Sequence, residues 1–389
     1  MKRIFSIILF SLIVFFSFNT SVLAQAEIVG EPPKEETLEA VVEKILDERQ
    51  IKPMGSEDLQ LYQKLELLVT KGSLKDKKIT VENGDVAVAN NLKYKVNDRV
   101  IVTFSKNFEG NDYFYITDYI RRDSLLWLFI IFVLSAVVIA KWRGILSLVG
   151  MGISFLVIFS FILPKILSGS NPVEIAILGS LIIIPVSFFL SHGFNKKTIV
   201  AIAGTLIALI ITGILANVFV EAAKLTGFAS EEAGFLQAAR GGLINIKGLL
   251  LAGIIIGVLG VLDDITISQS AIVFQLKEAN EKLKFNELYK RAMNVGQDHI
   301  SSMVNTLVLV YTGAALPLLL LFIDNPHPFS EIVNYEIIAD EIVRTLVGSI
   351  GLILAVPITT VIAALVAEKT KVVSRVAQQD FRQQGLGKV

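Results

Sequence analysis

The chain has 389 residues, of which 53% are hydrophobic and only 19% charged, below the ~25% charged content usual for soluble domains, and its mean hydropathy is +0.63. Its 36 basic and 36 acidic residues cancel, so there is no basic footprint and no nucleic-acid partner is expected. The absence of cysteine excludes disulfide frameworks, zinc ribbons and thiol chemistry, and three scattered histidines, His192, His299 and His327, do not make a metal cage.

The chain begins MKRIFSIILFSLIVFFSFNTSVLAQA. Lys2 and Arg3 precede an apolar run over residues 4–18, and Val22-Leu23-Ala24 offers small residues for cleavage. Residues 1–24 therefore read as a signal peptide or, alternatively, an N-terminal anchor; the apolar run falls short of the ~20 residues a spanning helix needs. Either reading places the next segment outside the cytoplasm. Residues 25–123 are expected to form a small, mainly β, extracytoplasmic domain. An acidic tether, EIVGEPPKEETLEA, leads into an expected short helix near residues 38–50. The runs KKITVEN, DVAVANN, YKVNDRVIVTF and YFYITDYIRR then alternate apolar and polar residues, which predicts a barrel of five or six strands. No catalytic constellation lies here, so the domain reads as a binding or gating module.

From Ser124 to about Ala367 the chain is a ladder of apolar segments, predicting a membrane all-α bundle of about seven transmembrane helices. The expected spans are 124–140, 144–166, 172–191, 198–220, 247–267, 301–323 and 343–366. With the N-terminal domain outside, the cytoplasmic loops and the basic tail, residues 368–389, carry 14 basic residues against five in the external loops. That bias obeys the positive-inside rule and points to a plasma-membrane location. The external stretch 221–246 reads as helical and half-buried. The cytoplasmic stretch 268–299 reads as one amphipathic helix with Ile272, Leu276, Leu283, Leu288 and Met293 on its apolar face.

Within GVLGVLDDITISQSAIVF (257–274), Asp263 and Asp264 interrupt an uncharged run. The apolar stretch Gly248–Leu262 has 15 residues, about 22 Å of helix, too short for a ~30 Å hydrocarbon core. Both carboxylates are therefore expected inside the membrane, where a charge costs at least ~2.5 kcal/mol. Gly253, Gly257, Gly260, Asp264 and Ser268 share one helical face, which predicts close approach of a neighbouring helix and turns Asp264 toward the bundle. Asp263 would pair with Thr266 or a neighbour. In the following span Asp298, Ser302, Asn305 and Thr306 form a polar stripe entering from the same leaflet, so that Asp263, Asp264, Asp298 and His299 are candidates for a shared proton or cation site. A helix-capping role for the two aspartates stands beside this reading, and Asn305 and Thr306 also suit interhelical hydrogen bonds. In EIVRTLVGSIGLILAVPITT, Glu341 and Arg344 are spaced to pair at the outer face. Gly348 and Gly351 begin a second small-residue face, and Pro317 and Pro357 predict breaks in the last two spans.

Three segments, LLLAGIIIGVLGVLDDITISQ (249–269), AMNVGQDHISSMVNTLVLVYTGAALPLLLLF (292–322) and EIVRTLVGSIGLILAVPITTVIAA (341–364), together with EEAGFL (231–236), resemble the YibE/F-like family of multi-pass bacterial membrane proteins. The resemblance covers roughly residues 124–367 and implies a permease-like architecture with a poorly defined activity. Gln275 stands where similar chains often carry an acid. The order of an Asp-bearing span, a cytoplasmic helix and an Asn/Thr-bearing span is also similar to the membrane halves of proton-driven secretion and resistance transporters.

Together these features predict a permease or export factor for an ion or small solute, coupled to protons through intramembrane carboxylates. The alternative class is a scaffold or translocation accessory whose external domain binds a protein partner. A third, an intramembrane aspartyl protease, would pair Asp264 with Asp298, but no G-x-G-D precedes them, so no enzyme activity is expected. No G-x-x-x-x-G-K-[ST] loop occurs and no cofactor is expected. The lipid bilayer is the necessary partner, and the small-residue faces also suit a homo-oligomer.

Overall fold

The computed structural model describes residues 35–53, 58–88, 91–106, 111–323 and 327–369. The signal or anchor segment and the tail beyond residue 369 lie outside them. The chain divides into two compact units, Met1–Ile130 and Ile131–Val389.

The first unit is a five-stranded antiparallel sheet in the order β3-β2-β1-β4-β5, made of β1 (Glu36–Ile51), β2 (Gln60–Lys71), β3 (Lys78–Asn83), β4 (Arg99–Lys106) and β5 (Asp112–Tyr119). β3 and β5, the outer strands, also touch, so the sheet is rolled. The helix expected near residues 38–50 is instead β1, the central strand. Its Leu38, Ala40 and Val42 are all buried, a period-two set that a helix would spread around its circumference. Pairing with β2 on one edge and β4 on the other overrides the helical propensity of Glu, Ala and Leu. β2 lies outside the expected strand runs, and its Leu65, Leu67 and Val69 alternate into the same core. Among the described residues of DVAVANN there is no strand; Val86 makes only an isolated bridge. Buried Gln63 takes the place of a strand neighbour, donating to the Tyr94 carbonyl at 2.9 Å and accepting from its amide at 2.8 Å. Burial pushes the Tyr94 phenol up to about 12.

Leu65 is fully buried, and Leu65→Ala is expected to destabilise this unit by about 2–5 kcal/mol. Hydrogen exchange of the β1 and β2 amides in the full-length protein would register that loss. Arg122 grips Glu39 with two bonds of 2.7 Å, which holds the Glu39 carboxyl below its ordinary value of 4.5. A lowered carboxylate contributes stability above its unfolded pKa and loses it as the pH falls through the folded one. The contribution of this pair is therefore present at neutral pH and should disappear below about pH 4.5. In an acid titration followed by β-unit unfolding, Glu39→Gln should flatten that part of the curve.

The second unit is helical, and the first of the helices begins within the first unit: α1 (Arg122–Val157), a π-helical turn (Ile158–Ile162), α2 (Leu163–Leu167), α3 (Pro172–His192), α4 (Lys196–Ala222), α5 (Glu231–Ala239), α6 (Ile246–Ala279), α7 (Phe285–Ala314), α8 (Leu316–Ile323), α9 (Phe329–Ile332) and α10 (Glu336–Glu368). Among the described residues, five helices are long and apolar enough to cross a membrane, or six if the bent pair α7–α8 is one span. Within the helical segment Arg122–Leu167, Lys141 leaves helical geometry at φ 53° and ψ −133°. The chain folds back there, because a Cβ on Gly144 would run into the Ala136 carbonyl eight residues earlier.

The helix starts follow from capping side chains. Asn171, Asn195, Ser230 and Asn245 each accept a bond from a backbone amide in the first turn of α3, α4, α5 and α6. The amphipathic stretch 268–299 is not one helix. Its first part prolongs α6, residues 280–284 turn, and α7 begins at Phe285. Buried Lys277 closes that turn by donating to the Glu281 and Leu283 carbonyls at 2.6 and 2.8 Å. The apolar face seen in the sequence packs on the bundle, where Leu283 and Leu288 join Val200, Val273, Ala363 and Ala364. Pro357 lies within α10, which runs unbroken, whereas Pro317 follows a 71° bend between α7 and α8.

α4, α6 and α10 form the tightest part of the core. Gly351 and Gly348 of α10 are buried there. A Cβ on Gly351 would collide with Thr212 of α4, and one on Gly348 would come within 3.2 Å of Val258 of α6. Gly204 of α4 faces Thr359 of α10 just as closely.

Candidate functional site

Two ends of this unit can be told apart. One carries Pro172, the 222–246 connection and the start of α10, since Gly248 lies against Pro172 and Glu336 accepts from the Thr226 and Gly227 amides at 2.6 and 2.9 Å. The other carries the α6–α7 turn, with the Phe285 amide bonded to Glu368 at 3.3 Å.

The two adjacent aspartates of α6 have different surroundings. Asp263 is half-buried, and its Oδ2 accepts from the Ser187 hydroxyl of α3 at 3.4 Å. Its Oδ1 is buried without a hydrogen-bond partner, and no ion pair reaches it among the described residues. Asp264, expected to face the bundle, is exposed. Gly253, Gly257 and Gly260 share that open face: a Cβ on Gly253 or Gly260 would meet nothing within 4 Å, and one on Gly257 only Tyr311, at 3.8 Å. The expected partner Thr266 is fully buried, but its hydroxyl bonds to Thr205 of α4 at 2.7 Å rather than to the Asp263 carboxylate.

The polar stripe of α7 is likewise turned outward. Asp298, Ser302, Asn305 and Thr306 are exposed and His299 is partly so, because Leu288, Ala292, Gly296 and Leu307 occupy the buried face. The Thr306 hydroxyl returns to the Ser302 carbonyl of its own helix at 3.0 Å. Gly253 and Ala314 border one cavity, Gly257 lies near Tyr311, and Gln269 bonds the Ala292 carbonyl. α6 and α7 thus run antiparallel, with Asp264 at about the depth of Ile300–Val304. Among the described residues, no hydrogen bond or ion pair joins Asp263 or Asp264 to Asp298 or His299, and no group of three or more His, Cys, Asp or Glu is placed to hold a metal ion.

What sequence reasoning missed is a buried polar seam between α4, α6 and α10. Gln269 is fully buried and donates to Thr360 at 2.7 Å and to the Ala292 carbonyl at 2.9 Å, while its Oε1 lacks a partner. The Ser270 hydroxyl donates to the Lys197 carbonyl at 2.8 Å. Thr198 and Thr359 keep buried hydroxyls with no bond. The available signal was Thr266, Gln269 and Ser270 at i, i+3 and i+4 within an apolar helix, directly after the more conspicuous aspartates. Glu341 approaches Arg344 at 3.7 Å as anticipated, but Asp340, one turn before Arg344, makes the closer contact at 3.1 Å.

A bundle of long apolar helices with polar groups sealed between them, preceded by a β unit, is the architecture of a multi-pass membrane protein. The YibE/F-like protein family matches residues 128–369, more than half of the chain, and the chain belongs to that family. No curated protein and no solved structure matches it.

Proposed function

We propose that this chain is a permease of the plasma membrane, moving an ion or small solute with proton or cation coupling through Asp263. The observation that carries the reading is the Asp263 carboxylate, held between α3 and α6 with Ser187 as its hydrogen-bond donor and one oxygen unpartnered. An ionisable group in such a place is costly unless a mobile cation or proton compensates it. The seam of Thr205, Thr266, Gln269 and Thr360 continues from that level toward the α6–α7 turn and adds hydroxyl and amide oxygens of the kind that serve a hard cation or a proton relay.

In this reading the β unit and the Ile246 end face outward, and the basic α6–α7 turn and C-terminal tail face the cytoplasm. Seven crossings then follow. The segment Arg122–Leu167 has 46 residues, about 69 Å of helix, more than twice a ~30 Å core, and the fold-back at Lys141 divides it into two spans. α7 and α8 together supply another.

A second reading rests on a different observation. The open faces of Gly253, Gly257 and Gly260 on α6 and of Ser302, Asn305 and Thr306 on α7 suit a membrane scaffold packed against another protein or a second copy. Elemental and metabolite content of cells lacking the protein, complemented with wild type or empty vector, separates the two. The permease reading expects one solute to change and to be restored by wild type. An unchanged profile with normal expression would leave the scaffold reading in its place.

A further inference from the structure

We propose that the β unit carries a binding face for a neutral oligosaccharide, formed by the outer sides of β4 and β5 and the start of β1. The inference goes beyond the permease reading and does not depend on it, because binding is measured on the protein itself.

The face follows from strand alternation. Phe104, Phe114 and Ile116 pack against the core of the β unit, so Thr103, Ser105, Tyr113, Tyr115 and Thr117 point outward. The register sets Tyr115 beside Thr103 and Tyr113 beside Ser105, with the exposed Thr37 of β1 on the other side of Thr103. Tyr113 is 51% exposed, and its ring stands 6.0 Å from that of Tyr115 at a 40° tilt. The Thr103 and Thr117 hydroxyls bond each other at 2.6 Å. Two adjacent tyrosine rings thus stand among hydroxyl groups, and none of these six residues is charged. The outer sides of β1, β2 and β3 are of another kind. There Lys64 pairs with Glu82 at 3.0 Å, and Lys78 with Glu43 at 2.6 Å and Glu66 at 3.4 Å, so that charged side chains satisfy one another.

The chemistry of the face selects its ligand. Rolled five-stranded Greek-key barrels bind oligonucleotides or oligosaccharides on one face, a likeness of architecture alone. A nucleic acid requires cations for its phosphates, and these six residues offer none. A neutral sugar suits them. Its C–H faces lie on aromatic rings, whose rigid, amphipathic surface costs little entropy to immobilise, and its hydroxyls exchange hydrogen bonds with those of Ser, Thr and Tyr. The competing use of such a tyrosine pair is in a membrane-interface belt. Tyr113 lies six residues before Tyr119 at the end of β5, about 20 Å along the strand, and α1 begins just beyond, at Arg122. That separation favours the sugar.

The test is calorimetric titration of the full-length protein in lipid nanodiscs with cellohexaose, maltohexaose and hexa-N-acetylchitohexaose, and with oligo-dT as the charged control. Wild type should bind at least one of the sugars saturably, with an affinity that does not fall as salt rises, and should not bind oligo-dT. Tyr113→Ala and Tyr115→Ala should each weaken that binding roughly tenfold, as expected for loss of one stacking ring. Tyr113→Trp, which keeps a stacking surface, should retain it, and Lys64→Ala/Lys78→Ala on the charged side should leave it unchanged. A polarity-sensitive dye on Tyr113→Cys, in a chain with no other cysteine, should emit as in water. Emission as in lipid would assign the pair to the membrane interface and overturn the proposal. So would the absence of saturable binding by all three sugars, binding that weakens with salt and is shared by oligo-dT, or unchanged affinity in both alanine variants.

Discussion

If the chain is the permease proposed above, Asp263→Asn is expected to leave the protein abundant and folded while abolishing coupled movement of the solute. The amide keeps the shape and still accepts the Ser187 hydroxyl, which lies at a long 3.4 Å and contributes little to stability. Removing the charge also relieves part of an insertion cost that reaches about 2.5–3.5 kcal/mol for an aspartate at a helix centre. Thermal stability in detergent should therefore stay level or rise. If Asp263 instead only cements packing, abundance and activity will fall together, and the coupling role is lost. Asp264→Asn provides the contrast. That side chain is exposed, so the exchange should change solute movement far less than the one at Asp263. Equal loss in both variants would move the site to the open face shared by α6 and α7.

The second large effect concerns the crossing of α4 and α10. Gly351→Ala places a methyl group against Thr212, whose hydroxyl is already committed to the Ala208 carbonyl at 2.7 Å. Gly204→Ala does the same against the buried Thr359. Each should cost about 1–3 kcal/mol through overpacking. The two contacts are separated by two helical turns, about 12 Å, so the double variant should lose nearly the sum. Folded yield and melting temperature in detergent measure this directly. Gly253→Ala and Gly260→Ala, with open space around them, should stay within about 0.5 kcal/mol of wild type. A marked loss at either would mean that the open α6 face is covered by another protein in the membrane.

Both predictions invert an expectation from the glycine pattern. Gly253–Gly257–Gly260 and Gly348–Gly351 look alike as small-residue faces on apolar helices. A period shows which residues share a face, and cannot show which way that face turns once the helices choose partners. The same limit explains Asp263 and Asp264. Adjacent residues on a helix point about 100° apart, and only the position of α3, bringing Ser187 to Asp263, decides which carboxylate is enclosed.

The sequence by itself determined the membrane class, the family, the approximate limits of most apolar helices, the β character of most of the N-terminal unit and the pairing of Glu341 with Arg344. The family follows from the likeness of its long segments to YibE/F-like proteins; the others follow from composition, period and short-range spacing, which are local. Tertiary structure decided β1 over a helix, because strand partners on both edges outweigh local propensity. It also decided the turn at residues 280–284 and the buried seam around Gln269. Those depend on contacts between segments far apart in the chain, such as Gln269 with Thr360 across 91 residues, and no local pattern carries that information.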